Sequence, residues 1–225
     1  MREIVLDTET TGLKPAEGDR VIEIGCIELR DHVPTGRHFQ RYLDPERDMP
    51  ADAFAVHGLT AEFLKDHPTL AAMVDAFLEF IADAPLVVHN AAFDIGFLNA
   101  EFERAGRPPI MLSRCVDTMI LARQKFPGAR ASLDALIDRF GIDATARAKH
   151  GALVDAKLLA EVYLELVGGR QAGLSLTVER GRGPGSALGA SERGARARRP
   201  HAPSAAELAI HEAFLANIKT PIWRD

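Results

Sequence analysis

The order in which two hydrophobic periods appear along this chain limits its fold more than any other feature. Strand-like patterns come first. Residues 2–7 form a short apolar run, and residues 20–29 alternate Val21, Glu23 and Gly25 against Ile22, Ile24 and Cys26. A third segment spans 33–43, with Pro34, Thr35 and Gly36 near its turn. Helical spacing begins only later, through Leu70, Met73, Val74, Phe77, Leu78 and Ile81. From there the two kinds interleave: a buried strand at 85–89, a helix over 93–105 closed by Gly106 and two prolines, and a short strand at 113–116. Helices then follow at 118–125, 132–140 and 152–167. Strands in succession, then strands alternating with helices, predict a mixed α/β domain rather than a purely parallel one.

The pattern also predicts where that domain ends. After Gly168-Gly169 the composition changes, and residues 180–203 hold Gly, Pro, Ala, Ser and six arginines with almost no large apolar side chain. Such a stretch cannot bury enough surface to offset its chain entropy, so it reads as a flexible linker. Helical periodicity returns over 204–218 through Leu208, Ile210, His211, Phe214, Leu215 and Ile218, and Ser204 with Glu207 predicts a capping box. The expected organisation is a domain at 1–170, a peptide and linker at 171–203, and a tail helix at 204–225. A short amphipathic helix on a linker has nothing of its own to pack on, which predicts docking to a partner.

Charge divides along the same boundary. Residues 1–170 carry 19 Lys and Arg against 27 Asp and Glu, whereas residues 171–225 carry 8 against 5. An acidic domain is unlike one that grips duplex nucleic acid through a broad basic face. It suits a site that concentrates carboxylates and depends on cations to approach phosphate. Apolar runs such as 4–6 and 85–88 fall far short of the roughly 20 residues of a membrane helix, and the N-terminus enters a strand with no signal-like segment before it. No membrane association is expected. Cys26 and Cys115 read as two buried free thiols in a reducing cytoplasm rather than one disulfide.

Three clusters carry candidate chemistry. In Asp7-Thr8-Glu9-Thr10-Thr11-Gly12, residues two apart on a strand share a face, so Asp7 and Glu9 present adjacent carboxylates. Their repulsion is relieved by a divalent cation, and hard oxygen ligands suit Mg²⁺ or Mn²⁺; the plain alternative is a solvated turn. In His89-Asn90-Ala91-Ala92-Phe93-Asp94, Asp94 falls in the first turn of a helix, where it reaches toward the first pair or merely complements the helix dipole. In His150-Gly151-Ala152-Leu153-Val154-Asp155, a loop histidine and an aspartate early in the next helix can converge. An imidazole there is suited to general-base work near neutral pH, or is an ordinary surface histidine.

Taken in order, these clusters resemble the motifs of the DnaQ-like 3′→5′ exonucleases, in the branch with four acidic residues plus a histidine. DTETTG, HNAAFDIGFL and HGALVDA span most of residues 1–160. The resemblance implies an RNase H-like fold, a mixed five-stranded sheet flanked by helices. It implies two divalent ions on Asp7, Glu9, Asp94 and Asp155, with His150 as the base. It implies further that Val56 and His57 flank the terminal nucleotide, that backbone around Thr8, Thr10 and Thr11 lies near the 3′-hydroxyl, and that Phe93 touches a base unless it is a core residue. Asn90 either orients substrate or caps its helix.

The tail bears on the substrate. Gln171-Ala172-Gly173-Leu174-Ser175-Leu176 is similar to the peptides that bacterial replication proteins insert into the sliding clamp, with Gln171, Leu174 and Leu176 as contacts. The terminal segment, with Phe214 and the single tryptophan Trp223, resembles the polymerase-binding tail of proofreading members. Together they favour a DNA 3′ end, single-stranded or frayed, as substrate, a polymerase catalytic subunit as partner, and a bacterial cytoplasm, at the nucleoid during replication. The catalytic motifs alone fit RNA-trimming relatives equally, because telling DNA from RNA rests on contacts at the 2′ position. A non-catalytic clamp–polymerase adaptor is the third reading; the intact acidic clusters count against it.

Overall fold

The computed structural model describes residues 1–145, 147, 149–168 and 203–217. Its elements in chain order are β1 (Arg2–Thr10), β2 (Val21–Arg30), β3 (Val33–Tyr42), α1 (Ala51–His57), α2 (Ala61–Lys65), α3 (Leu70–Ile81), β4 (Leu86–Val88), α4 (Ala91–Arg104), β5 (Cys115–Asp117), α5 (Thr118–Lys125), α6 (Leu133–Phe140), α7 (Ala152–Leu166) and α8 (Ala205–Ala216). The strands form one mixed sheet in the order β3-β2-β1-β4-β5. β1 and β2 pair antiparallel, as do β2 and β3, while β4 runs parallel to β1 and β5 parallel to β4. The mixed sheet and its flanking helices are those expected from the order of periodicities.

Both faces of the sheet are covered, which explains why β2 is buried along nearly its whole length despite its alternating pattern. On one face Ile4, Leu6, Ile24 and Cys26 pack with Phe77 of α3 and Phe97 and Phe102 of α4. On the other, Val5, Ile27, Leu29 and Val87 pack with Leu153, Ala156, Leu159 and Tyr163 of α7. Each fully buried Leu, Ile or Phe contributes roughly 1.5–3 kcal/mol. This apolar framework holds polar groups where they would not gather unaided.

Two short helices, α1 and α2, were not expected. At seven and five residues they are too brief to show a helical period. Their ends are nonetheless marked: α1 begins after Pro50 and stops at Gly58 in the left-handed region (φ 74°), and α2 takes its cap from the Thr60 side chain. Cys26 and Cys115 are free thiols. No helix among the described residues is long and apolar enough to cross a membrane.

The chain divides into two units, residues 1–175 and 176–225. In the second, α8 carries the expected capping box, in which Ser204 and Glu207 bond reciprocally. Leu208, Ile210 and Phe214 are exposed on it. The predicted linker, the 171–176 peptide and Trp223 lie outside the described residues.

Candidate active site

Alternation along β1 sorts its side chains between the two helical layers. Ile4 and Leu6 join the α3–α4 core, so Thr8 points the same way; Val5 joins the α7 core, so Asp7 and Glu9 point toward α7. Thr8 and Glu9 thus meet helices from different layers. Thr8 donates from its backbone N–H (3.0 Å) and its hydroxyl (2.7 Å) to Oδ1 of Asp94 on α4. Glu9 approaches Asp155 on α7. Asp94 and Asp155 are each the fourth residue of their helix, in the first turn, where free N–H groups and the helix dipole favour a carboxylate.

The helix starts are fixed by residues the sequence did not single out. β4 ends at Val88, and Asn90 turns the chain in the left-handed region (φ 66°) before α4. The Asn90 side chain makes no capping bond, which removes one of its two expected roles. Asp117 caps instead, accepting from the N–H of Ala91 (3.0 Å) on α4 and of Met119 (2.8 Å) on α5. On the other face, buried Glu23 of β2 accepts from the N–H of Ala152 (3.1 Å), at the start of α7, and from Nε2 of Gln40 (2.7 Å). Gly25, paired in register with Asp7, lets α7 come this close: a Cβ there would lie 2.2 Å from the carbonyl carbon of Ala152.

Crowded carboxylates hold protons in such a place. Glu9 is pushed up to about 8, first by burial and then by Asp155, Glu23 and Asp94, with Arg147 pulling the other way. Asp94 rises to about 7 through burial, although the bonds from Thr8 oppose it. Asp7 is held well above the usual carboxylate range by burial, then by Asp94, Glu9 and Asp155. Asp155 differs in having basic neighbours. Nη2 of Arg147 donates to its Oδ2 (2.8 Å), and Nδ1 of His150 lies 3.0 Å from the same oxygen. Nε of Arg147 is 2.6 Å from Oδ1 without aiming its N–H there, so buried Oδ1 takes no hydrogen bond.

The donor set fits a hard divalent cation. Glu9, His150 and Asp155 each bring one ligand atom within 4.8 Å of the others, and Asp155 Oδ1 is buried without a donor. Asp7 and Asp94 border this group, each within electrostatic reach of it. His150 is exposed and sits on the loop before α7, with its Nδ1 between Arg147 and Asp155.

The expected substrate contacts divide. Val56 is exposed on α1. His57 is buried, its Nδ1 accepting the N–H of Leu59 (3.0 Å) and its Nε2 without a partner among the described residues. Lys149, on the His150 loop, places Nζ 5.1 Å from the Phe54 ring of α1, which brings α1 beside the acidic site. The Thr10 hydroxyl bonds to Gly12 O (2.6 Å) and Thr11 is fully buried, accepting the Arg20 N–H (3.0 Å); these side chains hold the turn after β1. Phe93 is half-buried against the core, 5.0 Å from the Phe97 ring centroid. Phe214 is exposed on α8, while Gln171, Leu174, Leu176 and Trp223 fall outside the described residues. Glu23, Asp117 and Arg147 carried no motif, and nothing in the sequence singled them out.

Comparison with known proteins gives the family and agrees with the fold. Residues 4–163 match the RNase T exonuclease family. The DNA polymerase III subunit epsilon of Rickettsia felis is 54% identical over 179 residues, covering 78% of each chain. That of Escherichia coli is 49% identical over 176 residues, covering 75% of this chain and 72% of its own. Among solved structures, the nuclease domain of 3′hExo, a DEDDh family member bound to rAMP, superposes with a TM-score of 0.65 at 17% identity, covering 74% of this chain and 91% of that one. This last likeness shows the fold alone.

Proposed function

The chain belongs to the RNase T exonuclease family, as a 3′→5′ exonuclease of the DNA polymerase III epsilon type, and we propose that it proofreads DNA 3′ ends for a replicative polymerase. The observation that carries this reading is the convergence of Asp7, Glu9, Asp94 and Asp155 from a strand and two helix starts, with exposed His150 at their edge.

Asp7, Glu9, Asp94 and Asp155 would hold two divalent ions, Mg²⁺ or Mn²⁺. When bound, the ions supply charge neutralisation and Lewis-acid polarisation at the scissile phosphate. His150 takes the proton of the attacking water, and its exposure lets the ring reach that water. Asp155 orients the imidazole through Nδ1, as a carboxylate does for a histidine base. Thr8 keeps Asp94 aimed into the site, and Glu23 with Gly25 seats the helix that carries Asp155. In-line attack releases a nucleoside 5′-monophosphate and leaves a new 3′-hydroxyl. His57 of α1 lies within electrostatic reach of Lys149 on the His150 loop, and Val56 and His57 would flank the terminal nucleotide.

The relatives' name supports a polymerase catalytic subunit as partner and a bacterial cytoplasm as the place of action, at the nucleoid during replication. The exposed apolar residues of α8, with Phe214 foremost, would meet the polymerase together with Trp223. Residues 171–176 would engage the sliding clamp.

A Mg²⁺ titration of 3′-end digestion tests the reading, with single-stranded DNA and RNA of one sequence and Asp7→Ala as control. Preferential release of deoxynucleotides, lost in the control, is expected. Preference for RNA would transfer the assignment to the RNA-trimming relatives, and no metal-dependent release from either would leave only the adaptor.

A further inference from the structure

Arg147 places a cation where the acidic site calls for one. Its side chain is shielded, 11% exposed, and spans three anchors: Asp155, His150 and Asp134 of α6. Its charge also reaches Glu9, where it alone among the leading influences opposes proton uptake. The guanidinium therefore pairs with Asp155 and lies within electrostatic reach of Glu9, the two oxygen-bearing members of the group whose ligand atoms lie within 4.8 Å.

Its contact with His150 carries a further constraint. Nδ1 of His150 lies 2.7 Å from Nη2 of Arg147 and 3.0 Å from Oδ2 of Asp155. A guanidinium only donates, so toward Arg147 this nitrogen must offer its lone pair. A carboxylate only accepts, so toward Asp155 the same nitrogen must carry the proton. The two contacts cannot be satisfied together, and the side chains around His150 thus define two alternative arrangements.

We propose that Arg147 is a latch on the metal-free site, displaced when a divalent ion takes the Glu9–Asp155 position. The latch rests on the metal reading of these acids. With Arg147 in place, Asp155 is neutralised and the His150 lone pair at Nδ1 is occupied, so the ring's remaining proton is on Nε2. Displacement leaves Arg147 paired with Asp134, its second carboxylate. The ring proton then passes through solvent from Nε2 to Nδ1, where Asp155 accepts it, and Nε2 becomes the open basic nitrogen. Arg147 is in this sense a positioning residue: it governs ion entry and the tautomer of the base without touching the reacting atoms.

The test is Mn²⁺ binding by the full chain at pH 8, measured by calorimetry for wild type, Arg147→Met and Arg147→Lys. It is paired with ¹⁵N NMR of the His150 ring before and after Mg²⁺. Removing the competing guanidinium should tighten Mn²⁺ binding by about ten-fold in R147M, the order of a charge-assisted pair. R147K, which cannot present a fork, should fall between. Mg²⁺ should move the wild-type His150 proton from Nε2 to Nδ1. Equal or weaker Mn²⁺ binding by R147M overturns the latch. Should R147M not fold, R147K and the NMR decide, and an unchanged His150 tautomer overturns it equally. Wild type that binds no Mn²⁺ is a separate failure, since it removes the metal reading itself.

Discussion

Two aspartates at the fourth position of two helices, Asp94 and Asp155, face an acid pair on one strand, and each is managed differently. Asp94 receives two neutral donors from Thr8, whereas Asp155 receives a cation. On the proposed mechanism exposed His150 is the water-activating base, so its removal should damage chemistry more than binding. His150→Ala should lower mononucleotide release by roughly 10²–10⁴-fold, the usual worth of a general base, while calorimetric Mn²⁺ affinity stays within a few-fold. An unchanged rate would remove His150 from the mechanism. Thr8→Val should act in the opposite sense, weakening Mg²⁺ affinity because Asp94, left with the backbone N–H but without the Thr8 hydroxyl, holds its proton more firmly. The acids and the histidine were legible in the sequence because each sits in a short local pattern at the end of a strand or the start of a helix. Glu23 and Arg147 were not. Glu23 matters through an amide 129 positions away, and Arg147 through three side chains that only the fold assembles.

At the scale of elements, the site depends on how closely α7 approaches β2. Gly25 is paired with Asp7, and the backbone of Ala152 and Leu153 occupies the space its side chain would need. Gly25→Ala must therefore lift the start of α7 or distort β2. We expect a loss of about 1–3 kcal/mol in urea unfolding, typical of overpacking, and a fall in turnover larger than stability alone explains, since Asp155 moves with the helix. Stability lost without added loss of turnover would mean that the acids adjust independently of α7. Asp117→Ala offers the contrast on the other face: it uncaps α4 and α5 together and should cost about 1–2 kcal/mol per cap. The long elements were readable from their periods, most plainly α3, where five of the six positions that the spacing picked out, Leu70, Met73, Val74, Phe77 and Ile81, are buried and Leu78 is partly so. α1 and α2 were hidden because so few turns define no period, although Pro50, Gly58 and Thr60 mark their ends.

For the folded unit as a whole, the acidic site couples stability to pH and to ions. Glu9 near 8 and Asp94 near 7 bind protons in the folded state that the unfolded chain, with ordinary carboxylates, has already released at neutral pH. Their stabilising effect is complete below the unfolded values, near 4, and is lost as pH rises through about 7 and 8. The metal-free protein should therefore lose thermal stability between about pH 4 and about pH 8, with a slope of up to about 1.4 kcal/mol per pH unit for each proton involved. On the proposed metal reading divalent ions bind the same carboxylates once they are ionised, so saturating Mg²⁺ should flatten or reverse that slope, and apparent Mg²⁺ affinity should tighten across the same range. Thermal unfolding in chelator and in Mg²⁺, at matched ionic strength and several pH values, separates this from a general effect of net charge. Parallel curves in the two conditions would mean that these acids do not share their protons with an ion. Curves that diverge as pH rises would tie proton release, ion binding and the stability of the sheet to one set of carboxylates, and Asp7→Asn should then reduce the divergence.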